Sequence, residues 1–214
     1  MREIKAIIFD LDGVLCDTSD AHREAFLRTL APLGVSEVPY DRIAGMRTDQ
    51  ALRLLATDIN LTLSDSEVTT LTETKRSWAK ELIPQSARIF DGSVETIRAL
   101  SARYSLGLAS SSSRDNVERY LATSGTHECF HSILSGDDVT DAKPSPEIFL
   151  SSLRNLSALP AEALVIEDSA SGIRAAHAAG IAVIAVSSTL SPEELNELGV
   201  SSVISSVTDL TEIL

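Results

Sequence analysis

Two aspartates, Asp10 and Asp12, directly follow the short apolar segment AIIF near the start of the chain. An apolar run of this length, followed by an Asp-Gly turn, is typical of a buried strand. Carboxylates at the end of a buried strand are costly to desolvate unless a cation or hydrogen bonds compensate them. The two aspartates therefore either cap a turn or take part in chemistry.

Polar residues also follow other segments that we predict to be strands, and one basic residue precedes a predicted helix. They are two serines after LGLA, a lysine before SPEIF and two acids after LVI: Ser110, Ser111, Lys143, Glu167 and Asp168. In an open parallel sheet, ligands bind outside the carboxyl ends of the strands. We therefore expect these side chains to meet the two aspartates at one edge of the sheet.

This combination of residue types suits phosphoryl transfer. A carboxylate such as Asp10 can attack phosphorus and form an aspartyl phosphate. Mg²⁺ binds one or two carboxylates with phosphate oxygens and water, so Asp10, Asp168 and the main-chain carbonyl of Asp12 are the expected ligands. Lys143 and the Ser110 hydroxyl would hold the phosphoryl oxygens. Asp12 points to the same side of an extended chain as Asp10 and can act as general acid and then as general base.

Four segments resemble the motifs of the haloacid dehalogenase superfamily, in its phosphatase and phosphomutase branch: FDLDGVLCDT, LASSS, KPSPEIF and VIEDSASGIRAAHAAG. The resemblance extends over nearly the whole chain and implies a Rossmann-like core, a mobile helical cap and Mg²⁺. It implies a nucleophile at Asp10 and an acid/base at Asp12, the second of which the dehalogenases lack. It further implies a phosphate site formed by Ser110, Ser111 and Lys143. The metal site that it implies is formed by Asp10, Asp12, Glu167 and Asp168.

Candidate substrate residues outside the four motifs come from the similarity to the β-phosphoglucomutase-like group. They lie after the first motif and in the cap: Thr18, His22, Gly45, Arg47, Thr48 and Lys75. A histidine on a helix face is more often structural than catalytic. Lys75 stands where that group has a cap lysine, and a surface lysine on a helix is an equal alternative.

The cap differs from the mutase pattern at one arginine. In this part of the cap, the mutases carry an arginine in a pattern like G-V-S-R. In the segment GMRTD of this chain, Arg47 lies one place earlier and Thr48 occupies the arginine position. One residue of a helix corresponds to about 100° of rotation, so the guanidinium is expected to point away from a second phosphate. We therefore predict a Mg²⁺-dependent phosphatase that hydrolyses a small phosphorylated metabolite, such as a sugar phosphate, through an aspartyl phosphate. A phosphosugar mutase and an inactive binding module are the alternatives.

The arrangement of predicted elements places these residues in two units. After residue 84, apolar strands alternate with helices, which predicts a parallel sheet covered on both faces. The preceding segment has helical spacing and an N-cap signature, SDSE, and it contains no predicted strand. The expected fold is therefore an α/β Rossmann-like core, residues 1–16 and 85–214, with an inserted α-helical cap, residues 17–84.

Charge and composition exclude several classes of partner. The net charge is −13, from 18 basic and 31 acidic residues, which argues against a nucleic-acid-binding surface. The chain has no 18-residue apolar stretch and no basic amphipathic helix, so we predict no membrane partner. Two cysteines, Cys16 and Cys129, lack metal-binding spacing and suit a reducing cytoplasm. We expect a cytoplasmic monomer whose partner is a small phosphorylated metabolite.

Overall fold

The computed structural model describes residues 3–214, and six of the strands in that range form one parallel sheet. The strands are β1 (Ala6–Phe9), β2 (Cys16–Asp17), β3 (Arg88–Ile89), β4 (Ser105–Ala109), β5 (Phe130–Leu134), β6 (Ala163–Glu167), β7 (Ala182–Val186) and β8 (Ser202–Ile204). The sheet has the order β5-β4-β1-β6-β7-β8, while β2 and β3 pair with each other in antiparallel fashion. The predicted α/β class is confirmed.

The α-helices fall into two groups. They are α1 (Ser19–Leu30), α2 (Tyr40–Ile43), α3 (Thr48–Asp58), α4 (Asp65–Ser86), α5 (Ser93–Ser101), α6 (Arg114–Ser124), α7 (Glu147–Leu156), α8 (Ala170–Ala178), α9 (Pro192–Glu197) and α10 (Leu210–Ile213). The first four come between β2 and β3 and form the predicted helical cap. Within residues 3–214, no helix combines the length and apolarity needed to cross a membrane.

Strand β1 lies in the middle of the sheet and is completely buried. Ile7 and Phe9 pack into the apolar layer on one face, and Ala6 and Ile8 pack into the layer on the other. Because successive side chains of a strand point to opposite faces, four consecutive apolar residues require an apolar layer on both sides. Asp10 directly follows this strand and therefore lies at the carboxyl end of the sheet. Both faces of the sheet are covered there, so water does not reach Asp10 from either face.

The cap is held together by packing of α1 against α4. Small and apolar residues from both helices meet there, including Ala21 and Ala25 of α1 and Ala79 of α4. Helix α4 begins with the predicted capping box: Ser64 Oγ accepts from the Glu67 main-chain N–H at 3.3 Å, and Glu67 Oε2 accepts from the Ser64 N–H at 2.8 Å. Two main-chain N–H groups that the helix leaves unpaired are thereby satisfied.

The two connections between core and cap lie side by side as the ribbon β2–β3. Cys16 is opposite Ile89, and Asp17 is opposite Arg88. The sequence does not predict this ribbon, because two-residue strands have no periodicity to detect. We propose that the core and cap divide at this ribbon, close to the predicted division into residues 1–16 with 85–214 and residues 17–84; helix α4 continues to Ser86, so the second predicted boundary falls two residues before the end of that helix.

Candidate active site

Three neighbouring strands end side by side and bring the acidic and serine residues of the motifs together. Asp10 follows β1, and its main-chain N–H donates to the carbonyl of Ile166 at 2.9 Å. Ser110 follows β4, and its N–H donates to the carbonyl of Leu134 at 3.0 Å. Asp168 follows β6, on the other side of β1. Main-chain hydrogen bonds to the adjacent strands therefore fix the backbone positions of Asp10 and Ser110 at the strand ends.

Lys143 is completely enclosed by groups at these strand ends. Its Nζ donates to Asp10 Oδ1 at 2.5 Å, to Glu167 Oε1 at 2.8 Å and to the carbonyl of Ala109 at 3.0 Å. These three bonds use all the protons of the ammonium group. Burial acts to lower the pKa of Lys143, but the charges of Asp10 and Glu167 outweigh it and raise this pKa. Lys143 is therefore charged at neutral pH.

Negative charge is in excess around this one buried ammonium. Asp10, Glu167 and Asp168 are each at most 4% exposed. Burial, moderated by Lys143, raises the pKa of Asp10 to about 7. Burial, followed by the charges of Glu167 and Asp10, also raises the pKa of Asp168 well above its usual value. A further cation near these carboxylates would relieve both the desolvation and the repulsion.

A hard divalent cation fits the donor atoms at this edge. Asp10 Oδ2 accepts no hydrogen bond from the described residues, and Asp168 Oδ2 is held by the hydroxyls of Thr189 and Ser188. Gly13 has φ +83° and leaves space for this carboxylate, since a Cβ there would lie 1.9 Å from Asp168 Oδ2. No three His, Cys, Asp or Glu side chains within residues 3–214 are grouped as metal ligands. Mg²⁺ needs only one or two carboxylates, because it keeps several waters.

Glu167 has no unused carboxylate oxygen. Oε1 accepts from Lys143, and Oε2 accepts from the main-chain N–H groups of Asp168 and Ser169, both at 2.8 Å, and from Ser169 Oγ at 2.9 Å. A Cβ at Gly172 would lie 1.6 Å from Glu167 Oε1, so only glycine fits there. We propose that Glu167, predicted to lie beside the metal, positions Lys143 and the loop after β6 rather than binding the metal directly.

Asp12 is held by hydroxyl groups on both oxygens. Oδ1 accepts from Thr18 Oγ1 at 2.5 Å and Oδ2 accepts from Ser112 Oγ at 2.6 Å, with Ser110 Oγ at 3.4 Å. His22 Nε2 lies 3.6 Å from Oδ1. Burial acts to raise the pKa of Asp12, but His22, Ser112 and Thr18 outweigh it and hold this pKa well below its usual range. Asp12 is therefore ionised before substrate binds.

Three hydroxyl residues of the site are absent from the sequence-based predictions. Ser112 could have been found, because it lies two residues after Ser110 and alternate residues of an extended segment share one side. Ser188 and Thr189 follow β7 and reach Asp168 across the strand ends. No local pattern marks them, since only the sheet order brings them near the fourth motif.

The predicted cap residue Lys75 is buried and faces the site. Its Nζ lies 2.8 Å from His22 Nδ1 and 4.5 Å from the ring centroid of Phe26, and the residue is 5% exposed. The alternative that Lys75 is a surface lysine is therefore wrong. Burial, partly opposed by Asp12, lowers the pKa of Lys75 to about 7. Burial and the charge of Lys75 also lower the pKa of His22, which favours a neutral imidazole.

Replacing Lys75 by methionine is expected to stabilise the protein, and more so at low pH. Because the pKa falls from 10.5 to about 7 on folding, the charged lysine destabilises the fold fully below pH 7. This cost declines as the pH rises towards 10.5, because the folded lysine releases its proton. Urea unfolding of Lys75→Met should show a gain of about 2 kcal/mol at pH 6 and a smaller gain at pH 10.

Lys80→Met is the matched control for this prediction, because Lys80 lies on the same helix with an exposed side chain. Its stability should change by less than about 0.5 kcal/mol at either pH. A gain for Lys75→Met that is equal at pH 6 and pH 10 would contradict a lowered lysine pKa.

The cap covers the two aspartates and leaves a cavity of about 40 Å³ between cap and core. Both units contribute to its lining, and the predicted residues among those that line it are Asp10, Asp12, His22, Gly45, Thr48, Lys75 and Ser111. The cavity walls also contain Phe26, Tyr40 and Met46 from the cap. A ligand here would therefore meet carboxylates and hydroxyls from the core and a mixture of apolar and basic groups from the cap.

The cap lies directly against the core at Gly45. Ser111 Oγ donates to the Gly45 carbonyl at 2.7 Å. Gly45 has φ +73°, and a Cβ there would lie 2.0 Å from Ser169 Oγ, so the close approach requires glycine. Arg76 of α4 reaches the core at Asp137 with an N–O distance of 2.6 Å. The structure is therefore that of a closed cap, and Ser111 serves this contact.

Arg47 also connects the cap to the core and does not line the cavity. Its Nη1 donates to the carbonyls of Val139 and Thr140 at 3.1 and 3.0 Å. Its Nε and Nη2 donate to the carboxylate of Asp49 at 2.7 and 3.0 Å. Thr48, the next residue, lines the cavity instead. The guanidinium thus points away from the site, in the direction that the one-residue offset predicts.

Comparisons with known proteins agree with these features. A family model described as haloacid dehalogenase-like hydrolase matches residues 7–186. The validoxylamine A 7′-phosphate phosphatase of Streptomyces hygroscopicus subsp. limoneus is 31% identical, over 98% of this chain and 95% of that protein. The phosphorylated carbohydrates phosphatase of Thermotoga maritima is 33% identical, over 83% of this chain and 82% of that protein. The structure of β-phosphoglucomutase from Clostridium difficile is similar with a TM-score of 0.85 at 27% identity, covering 97% of this chain and 93% of that one.

Proposed function

Because this chain belongs to the haloacid dehalogenase-like hydrolases, we propose that it is a Mg²⁺-dependent phosphatase of a small phosphorylated metabolite, such as a sugar phosphate. The observation that carries the proposal is the environment of Asp10: one oxygen is bound by Lys143 and the other has no partner among the described residues. One relative is named as a phosphatase of phosphorylated carbohydrates and another as a phosphatase of validoxylamine A 7′-phosphate, which supports a small phosphorylated metabolite as the substrate.

Asp10 is the proposed nucleophile. Lys143 holds this carboxylate at Oδ1. One carboxylate oxygen attacks phosphorus while the bond from phosphorus to the leaving oxygen breaks, and the other would remain available to Mg²⁺. All three protons of Lys143 are used by protein groups, so in this arrangement it orients the Asp10 carboxylate, and its predicted contact with phosphoryl oxygens requires that one of these three bonds be exchanged. Mg²⁺ held by Asp10, Asp168 and the Asp12 carbonyl would supply charge compensation for the phosphoryl group.

Asp12 is the proposed acid/base. The free enzyme holds it ionised, but a phosphoryl dianion beside it raises its affinity for a proton, so Asp12 takes up one proton from water as the substrate binds. Asp12 then gives this proton to the leaving alcohol oxygen and later takes a proton from the water that attacks the aspartyl phosphate. Inorganic phosphate leaves and the Asp10 carboxylate is restored. Thr18 and Ser112 hold the Asp12 carboxylate in place for both steps.

The two cap arginines near the site are already bound to protein groups, which favours hydrolysis over phosphoryl transfer between two positions of a sugar. A mutase must hold a bisphosphate at both ends. Arg47 is occupied by main-chain carbonyls and Asp49, and Arg76 is occupied by Asp137. The remaining cation in the cavity lining is Lys75, which already contacts His22. A second phosphate would therefore meet one lysine whose proton is weakly held.

Replacing Arg47 by glutamine tests this assignment. If Arg47 holds the cap closed, the variant should lose kcat/KM by roughly threefold to tenfold, equally for glucose 6-phosphate and glucose 1,6-bisphosphate. If Arg47 binds a second phosphate, the bisphosphate should lose roughly tenfold to a hundredfold more than the monophosphate. Arg53→Gln is the control, because Arg53 lies on α3, the helix that follows Arg47, and its side chain contacts only cap residues among those described.

The function itself is tested by an assay with two arms. One arm measures phosphate released with Mg²⁺ from a panel of sugar and polyol phosphates. The other measures conversion of β-glucose 1-phosphate to glucose 6-phosphate, with glucose 1,6-bisphosphate as primer. We expect phosphate release with a preference for one compound and removal of the activity by EDTA.

Each other outcome of this assay contradicts the proposal in a different way. Isomerisation with little phosphate release would establish the mutase alternative and would assign Lys75 or Arg47 to the second phosphate. The absence of both activities, with retained fold, would favour an inactive binding module. That last alternative is opposed by the presence of Asp10 and Asp12 in the lining of one cavity, with Lys143 bonded to Asp10.

A further inference from the structure

A second cavity, of about 240 Å³, lies between the ribbon β2–β3 and helix α6. We name it the hinge cavity. Its walls are mainly apolar and come from the first loop, the end of α4, the ribbon and α6, including Leu11, Cys16, Ile83, Ile89, Arg119 and Tyr120. Asp12 lies in the wall of both this cavity and the active-site cavity. The hinge cavity thus adjoins the site at the ribbon, between the end of α4 and helix α6.

Two arginines on the wall of the hinge cavity lack partners. Neither Arg88 nor Arg119 has a side-chain hydrogen bond or ion pair to any described residue, and Arg119 Nε is shielded from solvent. Asp17 is opposite Arg88 in the ribbon but forms no ion pair with it. Arg119 Nε is thus a buried donor without an acceptor, which is costly, whereas Arg88 is exposed to water. In a chain with 31 acidic and 18 basic residues, two unpaired cations at one mainly apolar cavity favour an anionic ligand.

We propose that the hinge cavity binds a small apolar molecule with one carboxylate group. The carboxylate would accept from Arg119, whose planar guanidinium matches two oxygens, and Arg88 adds positive charge at the wall. The apolar part would lie among Leu11, Ile83 and Ile89. A planar monoanion suits these walls better than a phosphate dianion, because a dianion is more costly to remove from water.

Such a ligand would act on the hinge and on Asp12. It would touch the ribbon and the end of α4 on one side and α6 of the core on the other, so its binding would favour one angle between cap and core. Thr18 also lines this cavity, and its hydroxyl donates to Asp12. Occupancy of the hinge cavity is therefore expected to change kcat without competing with the phosphorylated substrate.

The test measures binding of benzoate and 2-naphthoate, with benzamide and 2-naphthamide as uncharged analogues, by calorimetry and ligand-observed NMR. We expect saturable binding of at least one carboxylate and at least tenfold weaker binding of its amide. Arg119→Ala and the cavity-filling Ala87→Leu should each weaken binding at least tenfold. Arg98→Ala is the matched control, because Arg98 is exposed, has no ion pair among the described residues and lies outside the cavity.

The binding measurement does not depend on the proposed phosphatase activity. Absence of saturable binding, binding unchanged in both cavity variants, or displacement of the probe by inorganic phosphate would each overturn the proposed site. Once phosphatase activity has been measured, the bound carboxylate probe should change kcat at least twofold at saturating substrate. Binding at the hinge cavity without a change in kcat would overturn its coupling to catalysis.

Discussion

Asp10→Asn is expected to lower kcat by roughly 10⁴-fold or more while the protein keeps its fold. The amide cannot attack phosphorus, and no other carboxylate of the site has an oxygen in the same position. The stability should change little, because asparagine can still accept from Lys143 and the loss of charge relieves repulsion with Glu167 and Asp168. Steady-state phosphate release and thermal unfolding measure the two parts of this prediction.

Asp17→Asn provides the control for this variant, because Asp17 is an exposed carboxylate on the ribbon. It should keep at least half of the wild-type kcat. Quenching the wild-type reaction with hydroxylamine should also convert Asp10 to a hydroxamate, which mass spectrometry locates, and Asp10→Asn should give none. More than about 1% residual activity in Asp10→Asn would show that another group attacks phosphorus.

Lys143→Met is expected to destabilise the protein by about 3–5 kcal/mol in the absence of divalent metal. The substitution removes the buried cation that contacts Asp10 and Glu167 and leaves these carboxylates facing Asp168 without compensation. Methionine fills a similar volume, so the loss reports on charge and hydrogen bonds more than on packing. Urea unfolding in EDTA measures the change, and phosphatase activity should be lost as well.

Two further variants separate charge compensation from a general effect on the core. Lys5→Met removes an ion pair of a largely exposed lysine with Glu162 and should cost less than about 1 kcal/mol. The double variant Lys143→Met/Glu167→Gln removes one uncompensated carboxylate and should recover part of the lost stability. If the double variant is no more stable than Lys143→Met alone, the lysine acts through packing and the charge argument fails.

Features that depend on short segments and their order could be predicted from the amino-acid sequence alone. Short, continuous apolar runs predicted the strands, and the alternation of strands with helices predicted a parallel sheet. Because parallel strands all end at one edge, the positions of Asp10, Ser110 and Asp168 along the chain were enough to expect them to meet. The capping box at Ser64 is equally local, since its partner is only three residues away.

Features that depend on how the cap packs against the core could not be predicted from local sequence patterns. The direction of Arg47 rests on carbonyls 92 and 93 residues further along the chain, and the contact of Lys75 with His22 spans 53 residues. Whether a helix lysine is buried depends on what packs over it, which helical periodicity does not record. Thr189 could not be predicted for a similar reason: its hydroxyl reaches Asp168 only because β7 lies next to β6 in the sheet. Local patterns thus place the reacting groups at one edge, while long-range packing sets their protonation and closes the cap over them.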